Sequence, residues 1–162
     1  MRCAIARTQL VILFAAALVV SMANPAQADD HSCSLAGAAG IYGDSDSGTI
    51  IGIGPRSAVA LLTLDDAGII KGKVTASLNG TVTNTTLSGT YSVNPDCTGT
   101  TAFGEYDPSG NLVVTGTVAL VWDADMREIR FLFTSAVLWP AGGGSPDGTA
   151  LSLVINGVAR KR

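Results

Sequence analysis

The sequence predicts an all-β domain, an antiparallel up-and-down β-barrel of about eight strands, with a β-sandwich as the rival arrangement. Three observations carry this. All 19 glycines of the 162-residue chain lie beyond residue 28, among many Thr and Val, a composition that suits short strands and tight turns. Turn signals recur at strand spacing: Asp65-Asp66-Ala67-Gly68, Asn79-Gly80, Asn94-Pro95-Asp96, Asp107-Pro108-Ser109-Gly110 and Asp123-Ala124-Asp125. The segments between them alternate, with Val74, Ala76 and Leu78 opposing Lys73, Thr75 and Ser77, and Ile129, Phe131 and Phe133 opposing Glu128, Arg130 and Thr134. No segment sustains a helical period with caps. A closed barrel also removes the exposed edges that an open meander would have to protect.

Met1–Ala28 reads as a secretory signal. Arg2 and Arg7 precede an apolar run, Leu10–Val20, and Ala26-Gln27-Ala28 supplies the small residues a signal peptidase needs. The run is shorter than the ~20 residues of a membrane span, so a product without a membrane span, secreted or periplasmic, is expected to start near Asp29. Residues 29–162 then form one domain with 8 basic and 13 acidic residues. Cys33 and Cys97 remain as a pair, and in an oxidising compartment they are expected to form one disulfide. A lipid anchor would place its cysteine directly after the apolar run. Zinc would need ligands beyond the single His31.

The expected strands are Ala39–Tyr42, Thr49–Gly54, Ser57–Leu64, Ile69–Leu78, Thr81–Val93, Gly99–Tyr106, Asn111–Trp122, Glu128–Thr134 and Ala150–Ala159, some of which merge or break. Asn79-Gly80 is the sharpest turn, because both residues tolerate positive φ. Asp44-Ser45-Asp46-Ser47-Gly48 reads as a solvated hairpin loop, since a calcium loop would need a downstream bidentate Glu and flanking helices. Gly52, Gly72, Gly89, Gly104 and Gly116 are candidates for bulges or barrel corners. Trp139–Gly148, with two prolines and three consecutive glycines, reads as the longest loop, either a lid or a plain connection.

Chemistry-bearing residues are few. Without an internal His, and with both cysteines tied, no nucleophile-base pair can be assembled. No metal site or cofactor is expected. The basic residues do not cluster outside the last three positions, which excludes a nucleic-acid face. Glu105 and Glu128 are the only glutamates, and either, turned into an apolar barrel, would act as an acid or base, with Tyr91 assisting. The plainer placement is a surface Glu128–Arg130 pair with tyrosines capping the core. Tyr42, Phe103, Trp122, Arg130, Phe131 and Phe133 are the candidates to line a cavity for a small lipophilic molecule; a filled core is the competing expectation. An outer-membrane barrel shares the alternation but needs aromatic girdles that this aromatic-poor chain lacks.

Ala39-Gly40-Ile41-Tyr42-Gly43, Gly48-Thr49, Gly54-Pro55-Arg56 and above all Gly89-Thr90-Tyr91-Ser92-Val93-Asn94-Pro95-Asp96-Cys97-Thr98-Gly99-Thr100 resemble a group of small exported bacterial proteins. Through that group the chain resembles the allene oxide cyclase-like barrels, whose relatives include plant dirigent proteins and bacterial spirotetronate cyclases. The resemblance implies a closed barrel whose cavity shapes a lipophilic ligand or substrate more than it supplies acid or base. No catalytic motif of those enzymes maps onto this chain residue by residue. The functional expectation is therefore a binder of a small lipophilic molecule, with a cyclase or isomerase, or a structural module with a filled core, as alternatives.

Overall fold

The computed structural model describes residues 32–140 and 148–162, so the expected signal, Met1–Ala28, and most of the expected loop, Trp139–Gly148, lie outside the described residues. Among the described residues nine strands follow a one-turn helix, α1 (Leu35–Ala38): β1 (Gly40–Ile50), β2 (Gly54–Leu64), β3 (Ile69–Leu78), β4 (Thr81–Val93), β5 (Thr98–Tyr106), β6 (Leu112–Trp122), β7 (Glu128–Leu138), β8 (Thr149–Ala150) and β9 (Leu153–Lys161). Strands β1 to β7 pair in sequence order, and β9 closes the ring by pairing with both β7 and β1, all antiparallel. Eight strands thus form a closed barrel, and the two-residue β8 adds to β7 beside it. The ring leaves none of its strands with a free edge along its whole length, which settles barrel against sandwich.

Local chemistry explains most boundaries. Asn79 and Gly80, at φ 47 and 86, make the two-residue hairpin that joins β3 to β4. Asp65, Asp107 and Asp123 each accept backbone N–H groups two to five residues on, tying down the β2–β3, β5–β6 and β6–β7 turns.

One expectation fails at the first hairpin. Asp44–Gly48 is not a loop: Ala39–Tyr42 and the start of Thr49–Gly54 merge into the single strand β1, and the turn falls at residues 51–53. The polar run keeps the strand's alternation, sending Ser45 and Ser47 to solvent and Asp44 and Asp46 into the barrel. Gly48 also faces in, where a Cβ would overlap the Val154 carbonyl oxygen of β9. Gly52 lies in the turn, at φ 85, and is no strand bulge.

Two register shifts bend the barrel, one at Glu105/Tyr106 and one at Thr117/Val118. In the second, Val118 faces Phe133 while Thr117 faces Ser135, so Thr134 is the extra residue. The Thr117 hydroxyl holds this bulge, 2.7 Å from both the Thr134 and Ser135 hydroxyls. The bulge inverts the parity of β7. Ile129, Phe131 and Phe133 point inward before it and Ala136 after it.

One end of the barrel is packed shut. Residues 33–39 lie across it, and the Cys33–Cys97 disulfide, with Cα atoms 5.0 Å apart, fastens them to the β4–β5 turn. Tyr42, fully buried, donates from its hydroxyl to the carbonyls of Ala38 (2.8 Å) and Met126 (3.2 Å). Tyr91 donates to the Asp65 carbonyl at 2.5 Å, and Trp122, Ile129, Leu64 and Ile70 complete the core there. The opposite end, ringed by the 51–53, Asn79-Gly80 and Asp107–Gly110 turns, is not filled by the described residues.

Candidate functional site

The strand period builds the site. Along β1 the inward positions run Tyr42, Asp44, Asp46, Gly48, Ile50 from the closed end to the mouth, so two carboxylates enter the barrel at mid-height. Inward positions of the neighbouring strands bring Arg56 from β2, Thr85 from β4, Thr101 and Glu105 from β5, and Phe131 and Phe133 from β7 to the same region. Gly157 on β9 makes room for them: a Cβ there would run into the Phe131 ring, the Ser45 carbonyl and the Asp46 side chain.

This polar layer divides the interior. Above it a cavity of about 710 Å³ opens at the mouth, walled by aliphatic side chains including Ile50, Ile53, Leu78, Val114, Ala136, Leu138, Leu153 and Ile155, with Thr81, Thr83 and Thr85 of β4 along one side. Below it lies a chamber of about 70 Å³, bordered by Asp44, Asp46, Thr101, Leu62, Val74, Phe103, Val118 and Phe131. Arg56, Glu105 and Phe133 border both spaces and lie between them. The interior is therefore filled at one end and hollow at the other.

Within the layer, Arg56 is committed. Its guanidinium donates to the Asp46 carboxylate in a buried ion pair and stacks 5.5 Å from the centre of the Phe133 ring. Glu105, 7% exposed, accepts from the Thr85 hydroxyl at 2.8 Å. Asp44 Oδ1 and Thr101 Oγ1 are buried with no hydrogen-bond partner among the described residues. Burial, and then the neighbouring Asp46 charge, push the Asp44 carboxyl up to about 7, with Arg56 opposing. Burial also raises Asp46, although its Arg56 partner pulls it back.

The structure sorts the sequence candidates into three places. Phe103, Phe131 and Phe133 line the chamber, their rings 5.8 and 6.2 Å apart in the pairs Phe103–Phe133 and Phe131–Phe133. Glu105 joins them, bordering both spaces. Tyr42, Tyr91 and Trp122 belong instead to the packed closed end, where burial pushes the Tyr91 phenol up to about 12. Glu128 and Arg130 face outward, because their parity on β7 is opposite to that of Ile129 and Phe131. The Arg130 side chain is 79% exposed, and Glu128 accepts from Arg130 at 3.2 Å and from Arg160 at 2.9 Å. Those two guanidinium hydrogen bonds hold the Glu128 carboxyl below its usual range.

Asp44, Asp46, Arg56 and Thr101 are the site residues that sequence reasoning missed. The alternation Tyr42, Asp44, Asp46, Ile50 was the available signal, hidden because Asp-Ser-Asp-Ser-Gly has the composition of a turn. No protein-family model matches the chain, and no curated protein matches it.

Proposed function

We propose that this protein binds a small lipophilic molecule in the open half of its barrel. The observation that carries the reading is the mouth cavity of about 710 Å³, walled mainly by aliphatic side chains and opposite a sealed end. Pockets of this size and lining bury most of a drug-sized ligand and use a few polar groups to orient it. Exposed aliphatic surface such as Leu138 (41%) and Ile53 (40%) at that mouth favours an apolar occupant. The Cys33–Cys97 disulfide supports export to an oxidising compartment, secreted or periplasmic. A closed barrel is also the architecture implied by the resemblance to the allene oxide cyclase-like group.

A second reading, a cyclase or isomerase, has one specific observation in its favour. Asp44, with its carboxyl near neutrality, is able to give or take a proton within an apolar enclosure. The assisting tyrosine that this reading expected is elsewhere: the hydroxyls of Tyr42 and Tyr91 donate to backbone carbonyls at the closed end. Binding is therefore the primary conclusion.

Native mass spectrometry of the exported, disulfide-bonded protein tests it. A co-purifying lipophilic mass that is lost on denaturation is the expected result. A protein that arrives empty, and then fails to bind a panel of lipophilic probes, overturns the reading in favour of a structural module.

A further inference from the structure

The mouth alone says nothing about the polar end of a ligand; the layer beneath it does. Three carboxylates, Asp44, Asp46 and Glu105, face one guanidinium, Arg56. Arg56 is already engaged by Asp46 and by the face of Phe133, so its charge is spent within the layer. The layer is thus short of positive charge. It is also short of hydrogen bonds, since Asp44 Oδ1 and Thr101 Oγ1 are buried at the chamber with no partner among the described residues. Thr101 is 5% exposed, so bulk water does not satisfy it. Orphaned buried polar atoms of this kind carry a desolvation penalty that a ligand relieves by supplying donors.

We propose that the ligand is a cationic amphiphile, an alkyl or aryl amine whose ammonium head seats in the chamber against Asp44 and Thr101 while its apolar body fills the mouth. The proposal rests on the lipophilic-binding reading above and adds the class of the head group. A primary ammonium carries three donors and no acceptor, which suits a chamber whose unpaired atoms are a carboxylate oxygen and a hydroxyl. The chamber, about 70 Å³, is roomy enough for a small head group and too narrow for the body. Arg56, Glu105 and Phe133 then form a collar around the neck of the ligand, with Glu105 adding a second negative charge. A carboxylate head fits poorly, because it brings another anion into a layer that already holds three. A metal ion is a poorer occupant as well, because no three Asp, Glu, His or Cys side chains among the described residues converge on one ion.

The test compares n-octylamine, n-octanol and octanoate by isothermal titration calorimetry on the exported, disulfide-bonded protein at about pH 8, where Asp44 is ionised and the amine is protonated. The expected result is that octylamine binds about tenfold or more tightly than either of the other two, the scale of one charge-assisted hydrogen bond. In Asp44→Asn the octylamine preference over octanol collapses. Octanol or octanoate binding as tightly as octylamine to the wild-type protein overturns the ammonium head and leaves lipophilic binding standing. An octylamine preference that survives Asp44→Asn overturns the assignment of Asp44. Failure of all three probes to bind overturns both readings at once.

Discussion

Asp44 is the residue whose replacement says most about this barrel. Its carboxyl titrates near 7 in the folded protein against an ordinary value of 3.8, because burial and the Asp46 charge disfavour its ionised form. A raised carboxyl makes the folded state hold a proton that the unfolded chain has released. Stability from this group is therefore full below about pH 4, falls as the pH rises toward 7, and is flat above that. Roughly three units of separation, at about 1.36 kcal/mol each, set a ceiling of about 4 kcal/mol. The adjoining chamber is large enough for water and borders Asp46 and Thr101, which lowers that ceiling, so about 2 kcal/mol is expected. Asp44→Asn is nearly isosteric and cannot ionise. Urea unfolding at about pH 4 and about pH 8 should show the variant gaining about 2 kcal/mol over wild type at the higher pH relative to the lower. Parallel pH profiles for the two proteins would refute the placement of an ionisable Asp44 inside the barrel.

Three further outcomes follow from the same geometry. Arg56→Met leaves the buried Asp46 carboxylate without its partner and should cost about 3–5 kcal/mol at about pH 8, less as the pH falls and Asp46 takes up a proton; a loss independent of pH in chemical denaturation would contradict this. Replacing Cys33 and Cys97 together by Ser opens a loop with a sequence separation of 64, worth about 4 kcal/mol in the chain-entropy account, and a change below about 1 kcal/mol would show that the closed end is held by packing alone. Gly157→Ala forces a methyl between the Phe131 ring and the Ser45 backbone, so thermal unfolding should register a loss of about 1–3 kcal/mol, and an unchanged midpoint would mean that the β1–β9 contact is looser than described.

Much of the barrel was legible in the chain because strands and turns are local. β3 and β4 fall at Ile69–Leu78 and Thr81–Val93 as the Asn79-Gly80 signal requires, and most later boundaries agree closely, whereas β2 begins earlier than expected, β7 runs on to Leu138 and β9 begins only at Leu153. The first hairpin was misplaced because Asp-Ser-Asp-Ser-Gly has the composition of a loop, while its period of two reveals a strand only once a lumen exists for the aspartates to face. The parity of β7 beyond Phe133 was likewise hidden, since the bulge at Thr134 depends on where β6 lies across from it. The candidate site shows the same division. Phe103, Glu105, Phe131 and Phe133 could be named from alternation and residue type. The alternation also set Glu128 and Arg130 on the face opposite Phe131 and Phe133, as the surface pair requires, whereas the depth at which Glu105 meets Arg56 depended on strands far apart in the chain.

The strand succession and the hairpin turns after β2 follow from preferences that act within a few residues, and the Cys33–Cys97 pair follows from the count of cysteines left beyond residue 28. Long-range pairing sets the rest: the ring closes through β9, one end is sealed by residues 33–39, and Asp44, Asp46, Arg56, Thr101 and Glu105 border one chamber. Those residues come from three strands, and an inward direction becomes a common site only when strand closure fixes the height of each around a single lumen.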